Sequence, residues 1–222
     1  MRRTVIFDLD GTLADTAGDL IASANAALGA LGHAPQLLAG RDDATAFRGG
    51  RAMLALAARR LALADAEALV ERGYPLLLEA YGAALNVHTR LYPGAAEAVA
   101  RLREAGVATG ICTNKPEGLA IRLVEALGLA PLFDALVGAD TLPVRKPDPA
   151  PYLAAVERAG GVPERSFLVG DTETDRNTAR AAGVPCALVT FGPDGEGVRQ
   201  FGAEALLGHF DELEALVARL LP

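Results

Sequence analysis

The segment FDLDGTLADT, Phe7 to Thr16, carries two carboxylates, Asp8 and Asp10, at the end of an apolar run and just ahead of Gly11. In an extended chain, residues two apart point to the same side. A turn at Gly11 therefore lets both acids face one site. Two carboxylates so placed repel one another unless a cation or a proton stands between them. Alone, an Asp-x-Asp pair also suits a solvated turn with an aspartate cap, so the rest of the chain must decide. Further polar groups follow other apolar runs. Thr113 and Asn114 follow VATGIC, Lys146 follows ALVGA in the loop RKPDP, and Asp171 and Asp175 follow SFLVG in GDTETD.

Taken together these segments resemble the haloacid dehalogenase superfamily. FDLDGTLADT is similar to its first motif, Thr113-Asn114 to its second, Lys146 to its third and GDTETD to its fourth, in the family's order. The resemblance implies that Asp8 is a nucleophile and Asp10 an acid/base. It also implies a metal site formed by Asp8, the backbone carbonyl of Asp10 and Asp171. Asp175 is then a supporting ligand through water, or a partner of Lys146.

The chemistry of these residue types agrees. An aspartate nucleophile divides phosphoester hydrolysis into two easier steps through an aspartyl-phosphate. A second acid protonates the leaving alkoxide, then takes a proton from the attacking water. The Thr113 hydroxyl and a backbone N–H near Asn114 suit a phosphoryl oxygen, and Lys146 supplies a fixed positive charge. Four ionised carboxylates and one lysine leave three negative charges, and a phosphomonoester adds about −2. Such a site needs a divalent cation, and carboxylate oxygens suit Mg2+.

These groups must be held by elements that bring their ends together. TVIFD, residues 4–8, reads as a strand buried on both faces. Thr16, with Asp19 behind it, signals the start of a helix carrying Leu20, Ile21, Ala24, Ala27, Leu28 and Leu31. Residues 17–85 read as helical throughout. After the turn signal Tyr92-Pro93-Gly94, helices alternate with four more apolar strands ending in VATGIC, ALVGA, SFLVG and CALVT, and DELEALVARLL forms a last helix. Alternation of this kind implies right-handed crossovers and a parallel sheet. The expected fold is α/β: a Rossmann-like, doubly wound parallel sheet formed by residues 1–15 and 88–222, with an all-helical cap domain, residues 16–87, inserted after the first strand. In open parallel sheets, sites form at the carboxyl ends of the strands, where every polar group named above lies.

The inserted helices match the position of the superfamily's helical cap, and TNKPEGLA, DTLPVRKPDP and GDTETDRNTARAAG are most similar to bacterial phosphoglycolate phosphatases. That resemblance implies Mg2+-dependent hydrolysis of 2-phosphoglycolate. Arg48 and Arg51 in FRGGRAML are candidates for the substrate carboxylate, against the alternative of solvated helix-start arginines. Phe191-Gly192 departs from the Tyr-Gly common in the family. A β-phosphoglucomutase-like transferase would keep Asp8 and Asp10 as well. A non-catalytic binding module would have lost one of Asp8, Asp10 or Asp171. A phosphonoacetaldehyde hydrolase needs a cap lysine, and no lysine occurs between residues 11 and 114.

A net charge of −7 speaks against a nucleic-acid partner. Cys112 and Cys186 lie in apolar runs and read as buried strand residues. His33, His88 and His209 lack metal-ligand spacing and read as surface residues. The start, MRRTVIFDLD, is unlike a signal peptide, and no segment reaches the roughly 20 apolar residues of a membrane span. The expectation is a cytoplasmic monomer or homodimer whose partner is a small phosphomonoester.

Overall fold

In a computed structural model, which describes residues 2–221, the chain forms two compact units. One runs to Asp15 and resumes at Leu91, and the other is Thr16–Arg90. The first unit begins with β1 (Arg2–Phe7), whose last four residues are fully buried. The chain leaves it through the two-residue strand β2 (Ala14–Asp15).

The second unit contains four helices, α1 (Ala17–Ala30), α2 (Asp43–Ala46), α3 (Gly50–Arg60) and α4 (Ala66–Ala83). Thr16 stands at the N-cap of α1 but makes no side-chain cap bond. Asp19, one turn on, does other work. Its buried carboxylate accepts from the backbone N–H groups of Val87, His88 and Thr89 and from the Thr89 hydroxyl, at 2.7–3.1 Å. These bonds tie residues 87–89 to α1 within the helical unit, which runs to Arg90. Further along, Asp42 takes a two-pronged bond from Arg60, at 2.6 and 2.7 Å, and a third from the Leu38 N–H.

From β3 (Arg90–Leu91) the chain resumes the first unit and alternates as expected: α5 (Ala95–Glu104), β4 (Ala108–Cys112), α6 (Glu117–Ala126), β5 (Ala135–Val137), α7 (Ala150–Arg158), β6 (Gly161–Gly170), α8 (Glu173–Ala182) and β7 (Cys186–Val189). The sixth strand of the main sheet, β8 (Ala205–Leu207), then precedes α9 (Leu213–Leu220). Sequence reasoning gave five strands and missed this one. Ala-Leu-Leu holds no β-branched or aromatic residue, so its strand state comes from pairing with β7 and not from local preference.

The strand order is β5-β4-β1-β6-β7-β8, and every neighbouring pair is parallel. The chain first winds outward from β1 to β4 and β5, then returns to β6 on the other side of β1. With right-handed crossovers this places α5 and α6 on one face and α7 and α8 on the other. Ile6, Leu168, Leu188 and Cys112 pack with Tyr152, Val156 and Ala179 of α7 and α8 in one continuous core. The reversal of winding falls between β1 and β6, whose registered residues Phe7 and Val169 lie just before the acids. A crevice at such a reversal is where open α/β sheets bind ligands. Among the described residues, no helix is long and apolar enough to cross a membrane. Cys112 and Cys186 are buried and unbridged.

Candidate active site

Asp8 follows β1 directly, with its N–H bonded to the Val169 carbonyl. It therefore stands beside the end of β6. The chain turns at Gly11, whose φ of +81° strongly favours a glycine, and Leu13 and Ala14 bond back to Leu9. The turn puts Thr12 under the end of β6, where its hydroxyl donates to Asp171 Oδ1 at 2.8 Å. Gly192, in the loop after β7, closes over the same turn. A Cβ there would stand 2.9 Å from the Gly11 carbonyl and 3.4 Å from Asp171 Cβ. Phe191 beside it packs against Tyr92 and Phe210, with ring centroids 5.0 and 5.2 Å away. Ring packing fills that position without a hydroxyl.

Lys146 is buried, and its ammonium spans two acids, 3.0 Å from Asp8 Oδ2 and 2.6 Å from Asp175 Oδ1. Its loop is held by Asn114, whose side-chain amide donates to the Lys146 carbonyl. Asp175 belongs to the first turn of α8. Its other oxygen accepts from the N–H groups of Asp171 and Thr172 and from the Thr172 hydroxyl, which in turn caps the helix. Gly170 makes this possible, because a Cβ there would lie 2.4 Å from Asp175 Cβ. Both Asp175 oxygens are thus engaged, one with Lys146 and one with the turn that starts α8. Thr113, buried at the end of β4, takes its N–H to the Val137 carbonyl and accepts at its hydroxyl from the Lys115 N–H.

Two site residues escaped sequence reasoning. Thr12 reads as an ordinary turn residue within the first motif. Lys115 is buried at 7% exposure and its ammonium lies 2.8 Å from Asp10 Oδ1. The signal for Lys115 was its scarcity: the chain holds two lysines in all. It also changes the charge count. Four carboxylates and two ammonium groups leave two formal negative charges, not three.

The remaining imbalance is concentrated on one side. Burial raises the Asp8 carboxyl to about 6, against the pull of Lys146 and with a push from Asp175. Burial, with Asp175 and Asp8 nearby, also raises Asp171 well above the usual carboxylate range, against the Thr12 hydrogen bond. Burial alone would depress Lys146; Asp175 and Asp8 overcome it and hold the ammonium charged. Burial pushes the neighbouring Cys112 thiol up to about 12, so it stays protonated.

Asp8, Asp171 and Asp175 each present an oxygen within 4.8 Å of the others. Among the described residues, Asp171 Oδ2 is buried with no hydrogen-bond partner. An orphaned carboxylate oxygen among mutually repelling acids costs free energy unless a cation meets it. These residues therefore fit a hard, oxygen-seeking divalent ion.

Arg48 and Arg51 lie apart from these groups in sequence and belong to the helical unit. Arg51 is engaged there by Glu71 and stands with its guanidinium carbon 4.7 Å from the Tyr74 ring centre. Arg48, in the turn between α2 and α3, is exposed.

Comparison with known proteins agrees with this arrangement. The model of the haloacid dehalogenase-like hydrolase family matches residues 2–183. A phosphoglycolate phosphatase of Mesorhizobium japonicum is 42% identical over 99% of this chain and 96% of its own length. One from Cereibacter sphaeroides is 42% identical over 98% of both. Among solved structures, a hydrolase from Pseudomonas syringae superposes with a TM-score of 0.75 at 26% identity, covering 97% of this chain and 98% of that one. A Thermotoga maritima structure, described as a candidate β-phosphoglucomutase, gives 0.71 at 25% identity over 100% of both chains. With all four motif segments gathered at the reversal point of the sheet and the family model matched across them, this chain belongs to the haloacid dehalogenase-like hydrolases.

Proposed function

We propose that the chain is a Mg2+-dependent phosphatase of small phosphomonoesters, acting through Asp8, and that 2-phosphoglycolate is its substrate. The observation that carries the reading is the buried Asp8 carboxylate, held by Lys146 beside the orphaned oxygen of Asp171. The substrate assignment draws on the relatives, which carry the phosphoglycolate phosphatase name at 42% identity over nearly their whole length.

In the first step an Asp8 oxygen attacks phosphorus. The P–O bond to the leaving group breaks, and the departing oxygen takes a proton from Asp10. In the second step water attacks the phosphorus of the aspartyl-phosphate and gives its proton to Asp10. The bond to Asp8 breaks, and phosphate leaves. Thr113 uses its hydroxyl proton on a phosphoryl oxygen, its own acceptor role toward Lys115 being already fixed. Lys146 holds Asp8 in one orientation and offsets charge on the transferring group. Asp8, Asp171 and the Asp10 carbonyl would hold the metal, with Asp175 holding Lys146 in place beside Asp8. When bound, a divalent ion neutralises these acids and withdraws charge from the phosphoryl oxygens.

Nothing in the arrangement favours transfer to a sugar over transfer to water, and relatives named phosphatases match better than the mutase-like structure. The test is release of phosphate from a panel of metabolites with Mg2+ and with chelator. 2-Phosphoglycolate should rank first and chelator should abolish turnover. Full activity without metal, or a sugar phosphate preferred over every acid, would overturn the proposal.

A further inference from the structure

We propose that Lys115 reads the carboxylate of the substrate and thereby selects acidic phosphoesters from within the core unit. This rests on the phosphatase reading given above. If Asp10 protonates the departing oxygen, that oxygen lies within hydrogen-bonding distance of the Asp10 carboxyl, about 2.5–3 Å. The Lys115 ammonium lies 2.8 Å from Asp10 Oδ1, on a lysine buried at the same sheet edge. Depending on which Asp10 oxygen carries the proton, the ammonium is then at most about 6–8 Å from the ester oxygen. In 2-phosphoglycolate the carboxyl carbon is two bonds from that oxygen, so a carboxylate oxygen can come within reach of the ammonium.

The chemistry is specific to this residue. An ammonium carries three N–H donors, so it can hold Asp10 and a substrate carboxylate together. Lys146, the chain's other lysine, is committed between Asp8 and Asp175. Lys115 is also fixed along its backbone, with its N–H on the Thr113 hydroxyl and its carbonyl accepting from Ala139. A pre-positioned, buried cation beside the leaving-group acid discriminates by charge: a neutral alkyl group offers it no acceptor, and a sugar hydroxyl offers one without the charge. In a buried setting a charge-assisted hydrogen bond from an ammonium already paired with Asp10 still favours an anionic over a neutral leaving group.

The experiment compares kcat/KM for 2-phosphoglycolate with that for n-propyl phosphate, which matches its length without the carboxylate. Wild type, Lys115→Met and Lys115→Arg are measured with Mg2+. Removing Lys115 also disturbs Asp10, but that loss is common to both esters and cancels in the ratio. The preference for the acid should be at least about 10-fold in wild type and should fall about 10- to 100-fold in the Met variant, as expected for loss of a charge-assisted hydrogen bond. The Arg variant should retain part of it. An unchanged ratio in Lys115→Met overturns the inference, as does a wild-type preference below about 10-fold, which needs no variant to fold. An unchanged ratio in Lys115→Met with a collapsed ratio in Arg48→Ala overturns it in favour of the helical unit. Hydrolysis of none of the esters by wild type would instead sink the phosphatase reading itself, and the inference with it.

Discussion

Replacing Lys146 by Met tests the electrostatic logic of the whole site. Methionine keeps the length and much of the volume of lysine but removes the charge. Two carboxylates then lose their shared partner at once, Asp8 at 3.0 Å and Asp175 at 2.6 Å. At an effective dielectric constant near 20, each contact is worth about 5–6 kcal/mol of gross attraction, most of it offset by the desolvation of the charges. Removing one member of a buried ion cluster costs about 3–5 kcal/mol net, because the groups left behind are buried and unpaired. For a chain of this size that is a fall of roughly 6–20 °C in the unfolding midpoint. The loss should also depend on pH. Asp8, already raised to about 6, moves higher when Lys146 is gone. At pH 5.5 it escapes the penalty by taking a proton, and at pH 8 it cannot. The assay is thermal or chemical unfolding of wild type and variant in chelator at both pH values. A destabilisation below about 1 kcal/mol, or one equal at pH 5.5 and pH 8, would refute the picture of Lys146 as the cation that keeps these acids ionised.

Further outcomes follow from the same geometry. Asp8→Asn should fold, lose essentially all turnover and form no acid-stable-isolable phosphoenzyme; wild-type turnover in that variant removes Asp8 from the mechanism. Asp10→Asn should lose far more activity toward alkyl phosphates than toward p-nitrophenyl phosphate, whose leaving group needs no proton; equal losses would deny Asp10 its acid role. In the metal-free protein, Asp8 binds its proton more tightly folded (about 6) than in an ordinary setting (3.8). The stability it contributes is complete below the lower value and lost as pH rises through about 6, and Mg2+ should flatten that decline; a metal-free stability that rises across this window contradicts the reading. Asp19→Ala should unfasten residues 87–89 from α1, where four donors meet its carboxylate, and should cost about 2–4 kcal/mol; amide exchange at Val87–Thr89 that stays as slow as in wild type would show that other contacts hold this segment.

Much of this was legible in the sequence because the polar groups fall at the ends of apolar strands. Alternation of strand and helix fixes a parallel sheet, and a parallel sheet brings the carboxyl ends of its strands to one edge. Asp8, Thr113, Lys146 and Asp171 could therefore be grouped without coordinates. What the sequence conceals is the pairing. Asp175 could serve a metal or a lysine, and no sequence pattern tells that Gly170 leaves room for its side chain to fold back and meet Lys146. Thr16 and Asp19 read as a helix start, but the bonds of Asp19 go to a segment about 70 residues away. No local pattern announces such a contact. β8 escaped for the opposite reason: its three residues have no strand character until β7 supplies a partner.

The chain's choice of cations carries the point further. It holds 21 basic residues, of which only Lys115 and Lys146 are lysines. Arginine takes nearly every other cationic place, including the pairs with Asp42, Glu71 and Asp134. Both lysines lie at the carboxyl edge of one sheet, both are buried, and both touch aspartates of the first motif. Guanidinium is a wide planar fork suited to two oxygens of one carboxylate, whereas an ammonium is a compact point charge that meets single oxygens of different groups. Lys146 does the latter, bridging Asp8 and Asp175, and a fork in its place would have to open the Asp8–Asp175 gap. A composition that uses arginine elsewhere and keeps lysine at these two positions marks them as places where the size of the cation matters. That was readable from residue counts alone, before any strand was drawn, and it is the one signal that pointed to Lys115 independently of the four motifs.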